Sequence, residues 1–83
     1  MKLQVRYFAS IREALGGGEP IELPEGSTLA TLRDRLIASS PAHAAALARG
    51  KALRCALDQV LSDETSVPRD GAEVAFFPPV TGG

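Results

Sequence analysis

Apolar and polar side chains alternate near the N-terminus, and this two-residue period predicts a β-strand over residues 2–8. One face of this strand carries Leu3, Val5 and Tyr7, and the other carries Gln4, Arg6 and Phe8. Short apolar runs bounded by turn residues predict further strands. These lie at residues 19–23, 53–58, 60–61 and 72–77. Pro20 indicates the start of the second strand or a place at a sheet edge.

A helical period follows the turn at residues 24–27 and predicts the main helix over residues 28–39. Its apolar stripe consists of Leu29, Leu32, Leu36 and Ile37. Ser27 or Thr28 can cap this helix, and Pro41 prevents its continuation. The charged positions Arg33, Asp34 and Arg35 are interpreted as its solvated face.

Two shorter helices are predicted on either side of the main one. Ser10 and Glu13 have the spacing of a capping box, which places one helix at residues 11–15 with Gly16 as its C-terminal cap. The other covers residues 42–49 and ends at Gly50.

The order of these elements predicts an α+β fold, with a mixed sheet of about four to five strands and one main helix packed on one face. A β-grasp arrangement is the natural candidate. We expect residues 1–77 to form this domain and residues 78–83 to form an extended, flexible tail.

Composition excludes several classes of function. The chain has 83 residues, nine basic and ten acidic, so its net charge is −1 and no basic surplus exists for binding nucleic acid or a membrane surface. A domain of this size holds one small core, which favours a module that works with a partner over an enzyme with its own deep site. The N-terminus lacks the apolar region of a signal peptide, and no segment is long enough to span a membrane.

Cysteine and histidine are the residue types most often used as metal ligands or nucleophiles. Neither Cys55 nor His43 has the neighbouring ligands or thiols that such a site would need. Cys55 is the only cysteine, so it cannot form an internal disulfide or a multi-thiolate metal site, and a reducing, cytoplasmic setting is expected. We interpret it as a buried core residue. His43 has no adjacent His, Cys or acidic cluster and is interpreted as a surface residue of a helix.

The C-terminal tail carries the candidate chemistry. Pro78 and Pro79 end the last strand and extend the chain, and the six residues from Pro78 to Gly83 reach about 20 Å. Gly82 and Gly83 have no side chains, so the tail can enter a narrow channel and present the Gly83 carboxylate there. A carboxylate becomes an acyl donor only after activation. The glycine run at residues 16–18 lacks the Lys and Ser/Thr of a phosphate-binding loop, so activation must come from another protein.

Several segments resemble the small, sulfur-carrying subunits of molybdopterin synthases, which are ubiquitin-like sulfur carriers. The most specific is residues 70–83, DGAEVAFFPPVTGG, because a terminal diglycine is common to ubiquitin-like carriers whereas FFPPVTGG is much narrower. Residues 5–13 (VRYFASIRE), 28–33 (TLATLR) and 56–59 (ALDQ) match in the same order. One departure is Asp58, where the family pattern has asparagine.

The resemblance implies a β-grasp, ubiquitin-like fold and a reaction sequence centred on Gly83. A ubiquitin-activating-type adenylyltransferase would use ATP to adenylate Gly83, and sulfur from a sulfurtransferase would convert it to a thiocarboxylate. The tail, formed by Pro78, Pro79, Val80, Thr81 and Gly82, would then insert into the large catalytic subunit. Sulfur would pass to cyclic pyranopterin monophosphate, with two carriers used per molybdopterin in a heterotetramer. No cofactor is bound by the carrier, which is not catalytic alone.

The face assignment and the resemblance together predict a docking surface. If Val74 and Phe76 face the core, then Phe77 faces away from it, as does Phe8. Two outward aromatic residues near the start of the tail indicate an interface. The family places docking residues at positions matching Phe8, Leu61 and Phe77.

Three alternatives remain open from the sequence. A carrier for thiamine or tRNA thiolation would share the chemistry but should lack the Phe-Phe-Pro-Pro approach to the tail. A ubiquitin-like modifier would instead join Gly83 to lysines of other proteins. An inert β-grasp module would need no diglycine at its end.

Overall fold

The computed structural model describes residues 1–79, which form five strands and three helices. In chain order these are β1 (Lys2–Tyr7), α1 (Ala9–Leu15), β2 (Gly18–Glu22), α2 (Leu29–Ile37), α3 (Pro41–Ala46), β3 (Arg54–Leu57), β4 (Val60–Ser62) and β5 (Glu73–Phe77). The predicted elements are all present, with boundaries shifted by a few residues. Val80, Thr81, Gly82 and Gly83 lie outside the described residues.

The strands form one mixed sheet in the order β2-β1-β5-β3-β4. The first and last strands, β1 and β5, run parallel in its interior, and all other neighbouring strands are antiparallel. A parallel central pair needs a crossover, and the helices and the β3–β4 hairpin lie within it. This α+β arrangement is the β-grasp fold that the order of elements predicts. β2, which contains Pro20, is an edge strand as expected.

The core lies between one face of the sheet and the helices. Leu3, Val5 and Tyr7 of β1 are buried while their alternate neighbours are exposed, which confirms the predicted faces. From α2 the residues Leu29 and Leu32 are fully buried against this face, together with Leu36. Each such aliphatic side chain contributes about 1.5–3 kcal/mol through removal of apolar surface from water.

The three helices differ in whether a side chain caps the free backbone N–H groups at their N-termini. Thr28 caps α2 by accepting a hydrogen bond from the Thr31 N–H at 3.2 Å, and Ser40 caps α3 by accepting one from the His43 N–H at 3.1 Å. The predicted capping box of α1 is wrong. Strand β1 leads directly into α1 through Phe8, which occupies the cap position without a side-chain hydrogen bond, so Ser10 already lies within the helix.

Arg33 corrects a second sequence prediction, because it is only 3% exposed rather than part of a solvated helix face. Its Nε donates to the Leu47 carbonyl at 2.8 Å, and its Nη2 donates to the carbonyls of Ala48 and Lys51 at 2.6 and 3.2 Å. Its Nη1 donates to Glu64 at 2.8 Å. A buried guanidinium is tolerated because its donors are paired, and here it fixes the loop after α3 to α2.

Candidate functional site

The candidate site begins where β5 ends, at Phe77. β5 is hydrogen-bonded on both sides, to β1 and to β3, so the point from which the tail departs is fixed within the sheet. Pro78 is half-buried and Pro79 is exposed. Gly83, the predicted reactive residue, and the preceding Val80, Thr81 and Gly82 lie outside the described part of the chain, so their roles stay predictions.

An open groove lies beside the start of the tail, on the face of the sheet opposite the helices. It has an apolar centre and a polar rim. Its lining residues are Arg6, Phe8, Ala56, Gln59, Glu73, Ala75 and Phe77. These residues come from β1, β5, β3 and the β3–β4 turn, so the register of the sheet assembles the groove from distant parts of the sequence.

Phe8 reaches this groove because it follows β1 with extended backbone angles and therefore points away from the buried Tyr7. Its backbone N–H donates to the Phe76 carbonyl at 3.2 Å, which holds it against β5. Phe8 is 42% exposed. Phe77 is half-buried and lies on the opposite face of β5 from Phe76, which is in the core. The predicted outward orientation of both aromatic residues is confirmed.

Leu61, the third predicted docking residue, lies on the edge strand β4 and is 63% exposed. It pairs directly with Ala56, a residue of the groove, so the two share one face of the sheet. Leu61 itself lines a neighbouring depression with Cys55 and Ser62 rather than the groove of Phe8 and Phe77. The structure thus brings two of the three residues together and places the third farther along the same face.

The rim of the groove carries one pair of opposite charges, Arg6 and Glu73. Arg6 Nη1 lies 3.4 Å from Glu73 Oε1, and both side chains are substantially exposed. Such a solvated pair contributes little to stability. It leaves the groove with no net charge from these two residues, which suits recognition through apolar contact.

Sequence reasoning missed the β3–β4 turn as part of this surface. Asp58 and Gln59 both have positive φ angles, 49° and 69°, as in a two-residue hairpin turn of type I′. Asp58 Oδ1 accepts a hydrogen bond from the Glu73 N–H at 2.9 Å. The signal available in the sequence was the aspartate itself, which favours this kind of turn.

Cys55 is buried in β3, as predicted, and its Sγ lies 3.2 Å from the Ser62 carbonyl. Burial, reinforced by the nearby carboxylates of Glu64 and Asp63, raises the pKa of the thiol. A thiol that is protonated and inaccessible is a poor nucleophile. Its position therefore agrees with a packing role.

His43 is not the isolated surface residue that its sequence neighbours suggested. Its Nε2 lies 2.7 Å from Glu19 Oε2, its Nδ1 lies 2.6 Å from Ser40 Oγ, and its ring packs edge-on against Tyr7. Tyr7 also donates to Glu19 Oε2 at 2.7 Å. The sheet brings Glu19 of β2 beside α3, a contact across 24 positions that no local pattern could show.

Burial and hydrogen bonding shift the acid–base behaviour of this cluster. Burial, followed by the hydrogen bond to Glu19, raises the pKa of Tyr7. Burial works to raise the pKa of Glu19 also, but the hydrogen bonds from His43 and Tyr7 outweigh it and lower that pKa. The cluster ties β1, β2 and α3 together and lies on the core side of the sheet, away from the groove.

Residues 1–79 lack two features that other classes of protein would need. It holds no group of three or more His, Cys, Asp or Glu side chains arranged to bind a metal ion. None of its helices combines the length and hydropathy needed to cross a membrane.

Comparison with known sequences places these features in a family. The model of the ThiS family matches residues 5–83. The molybdopterin synthase sulfur carrier subunit of Escherichia coli is 41% identical over 81 residues, covering 98% of this chain and 99% of that protein. The subunit of the same name from Haemophilus influenzae is 40% identical over 82 residues, with the same coverage.

Solved structures agree with the fold. A chain of the protein–protein complex of subunits 1 and 2 of molybdopterin-converting factor from Helicobacter pylori aligns with a TM-score of 0.69 at 28% identity, and both chains are fully covered. SAMP1 from Haloferax volcanii aligns with a TM-score of 0.80 at 22% identity, also over both full chains. The second similarity is one of fold alone.

Proposed function

This chain belongs to the ThiS family, and we propose that it is the sulfur carrier subunit of a molybdopterin synthase. The observation that carries the proposal is the match of nearly the whole chain to bacterial subunits of that name. The family match runs to Gly83, so it includes the tail as well as the β-grasp domain.

The proposed chemistry takes place at the Gly83 carboxylate. This group attacks the α-phosphate of ATP in a ubiquitin-activating-type adenylyltransferase, which forms an acyl adenylate and releases pyrophosphate. Hydrosulfide, supplied by a sulfurtransferase together with a thiol reductant, then attacks the acyl carbon, displaces AMP and leaves a thiocarboxylate and a proton. Activation is needed because a carboxylate alone is a poor electrophile, whereas AMP is a good leaving group.

The carrier contributes no catalytic group of its own in this proposal. The thiol of Cys55 is buried and its pKa is raised, and the ring of His43 is engaged by Glu19 and Ser40. ATP is therefore used on the partner enzyme, and the carrier binds no cofactor. We place this work in the cytoplasm, without nucleic acid or membrane, in line with the single cysteine and the balanced charge.

Delivery of the sulfur follows from where the tail begins. The surface of Phe8, Leu61 and Phe77 docks on the large catalytic subunit and on the activating enzyme. The tail of Pro78, Pro79, Val80, Thr81 and Gly82 then enters the large subunit and brings Gly83 to cyclic pyranopterin monophosphate. The complex of two subunits from Helicobacter pylori supports such a partnership. Molybdopterin holds two dithiolene sulfurs, so two carriers are used in a heterotetramer.

Intact mass spectrometry tests the proposal. The chain is incubated with ATP, the adenylyltransferase and a sulfur donor, and then with the large subunit and precursor pterin. We expect one oxygen to be exchanged for one sulfur at Gly83, followed by loss of that sulfur as molybdopterin forms. The matched control is Cys55→Ala, which should still acquire the sulfur.

Other outcomes identify other functions. Sulfur that loads at Gly83 but is never passed to the pterin indicates a carrier for another thiolation pathway. Conjugates of this chain with lysines of other proteins indicate a protein modifier. Sulfur found on Cys55 in place of Gly83 contradicts the mechanism.

A further inference from the structure

Gln59 has a backbone conformation that is costly for a residue with a side chain. It is the second central residue of the β3–β4 turn, with φ of 69°, and it follows Asp58, with φ of 49°. In a type I′ turn the second position strongly favours glycine, because a Cβ is strained at positive φ. Asp58 tolerates this region, but glutamine gains nothing from it. A residue that holds this conformation despite its cost points to a function outside the turn.

The turn is fixed relative to the docking groove. The Asp58 N–H donates to the Glu73 carbonyl at 2.9 Å, and the Glu73 N–H donates to Asp58 Oδ1 at 2.9 Å. This reciprocal pair ties the turn to β5, the strand that ends in Phe77. Gln59 is therefore held at the groove that Phe8 and Phe77 also line, and it is exposed there.

The amide of Gln59 is available for a partner. None of the side-chain hydrogen bonds formed among residues 1–79 involves it, although its neighbour Asp58 is engaged. A primary amide offers both a donor and an acceptor, which matches the N–H and C=O of a peptide group. Interfaces commonly have an apolar centre and a hydrogen-bonding rim, and Phe8 and Phe77 supply such a centre here.

We propose that Gln59 is a partner-recognition residue, whose amide hydrogen-bonds a main-chain peptide group of the large catalytic subunit at the rim of the groove. This inference rests on the proposed function, which supplies the partner. It explains the strain, because glycine would turn the chain at lower energy but would have no group to offer. It also predicts that folding and binding favour different residues at this position.

Two variants separate these demands. Gln59→Gly relieves the strain and removes the amide, so its unfolding midpoint should be equal to or above that of the wild type. Its affinity for the large subunit should fall about threefold to tenfold, the effect of one neutral hydrogen bond. Gln59→Met keeps the length and the strain but lacks the amide, so its midpoint should stay near the wild type while its affinity falls similarly. Asp58→Asn retains the turn and the acceptor oxygen and is the matched control.

Affinity is measured by calorimetry with the isolated large subunit, and thiocarboxylate formation is measured in parallel with the activating enzyme. Unchanged affinity in Gln59→Gly, or full affinity in Gln59→Met, overturns the inference, as does an effect confined to the activation step. A lower midpoint for Gln59→Gly overturns the strain argument. If the wild-type chain fails to bind the large subunit at all, the proposed function fails with it. If the wild-type chain binds tightly and the Gln59 variants bind with the same affinity, only this inference fails, and the proposed function stands.

Discussion

Tyr7 and Phe8 are adjacent in the sequence, yet Tyr7 is completely buried and Phe8 is 42% exposed. The sheet separates them: Tyr7 faces the helices and Phe8 faces the groove beside the tail. The same division separates Phe76 from Phe77 at the end of β5. One face of the sheet thus maintains the fold, and the other is available to partners.

The first prediction concerns this available face. Phe77→Ala should weaken binding to the large subunit by about tenfold or more, because a central aromatic residue of an interface contributes a large share of affinity. Binding measured by calorimetry provides the check. Val67→Ala is the control, since Val67 is 52% exposed but does not line the groove. Equal affinities for the two variants would remove Phe77 from the docking surface.

The second prediction concerns the end of the tail. Deleting Gly83, or adding a residue after it, should abolish sulfur loading while leaving thermal unfolding unchanged, because the core of the domain is built from residues before Pro78. Mass spectrometry and a thermal melt measure the two properties on the same samples. Sulfur loading in either variant would contradict a mechanism based on the Gly83 carboxylate.

The third prediction concerns Arg33. Arg33→Ala should lower the free energy of unfolding by about 1–3 kcal/mol or more, because it leaves the carbonyls of Leu47 and Ala48 without their donor, while Glu64 keeps its partner Arg49. Urea denaturation provides the measurement. Arg35→Ala is the control, because Arg35 lies on the same helix at an exposed position. It should change the free energy of unfolding by less than about 0.5 kcal/mol. Similar losses in both variants would show that the burial of Arg33 is unimportant.

The fourth prediction concerns Gly18, at the start of β2. A Cβ at this position would lie 2.2 Å from the backbone carbonyl oxygen of Val5, and φ is +156°. Gly18→Ala should therefore be strongly destabilised, because backbone in the sheet must move to relieve the clash. Gly50→Ala is the control, since a Cβ there meets nothing within 4 Å. A melting temperature for Gly18→Ala equal to or above that of Gly50→Ala would be inconsistent with this packing.

The fifth prediction concerns acid. Burial opposes ionisation of Glu64, but hydrogen bonds from Arg49 and Arg33 outweigh it and lower its pKa. A carboxylate with a lowered pKa in the folded state stabilises the fold above its unfolded pKa, and that contribution is lost as pH falls through the folded value. Stability should therefore drop below about pH 4.3, the ordinary glutamate pKa.

Glu64→Gln is the variant that tests this assignment. It should be less stable than the wild type at neutral pH, and part of the acid-dependent loss should disappear. Urea midpoints measured across the acid range give both quantities. An unaltered pH profile in this variant would assign the acid sensitivity to other groups.

Much of the fold could be predicted from local pattern, and the exceptions have a common cause. The alternation in β1 and the stripe of Leu29, Leu32 and Leu36 report burial directly, because each is a property of one element. Arg33 and His43 were misread because their environments are made by segments distant in the sequence. The helical period alone places Arg33 on the solvated face, because it does not show that the loop after α3 covers this residue.

Prediction of the candidate site is also limited by contacts between segments that are distant in the sequence. The outward faces of Phe8 and Phe77 follow from the two-residue period, so sequence alone identified them. Gln59 joins them only through the β3–β4 turn, which folds against β5 by its contacts with Glu73. Leu61 reaches the same face but a different depression, because β4 lies beyond β3 at the edge of the sheet.

The place of β5 within the sheet has a mechanical consequence. The strand is bonded to β1 on one side and to β3 on the other, and the tail continues from its end. Tension applied to the end of β5 along the strand loads both ladders in shear, so their hydrogen bonds resist together instead of opening one after another. We therefore expect the domain to remain folded when it is pulled by its C-terminal end.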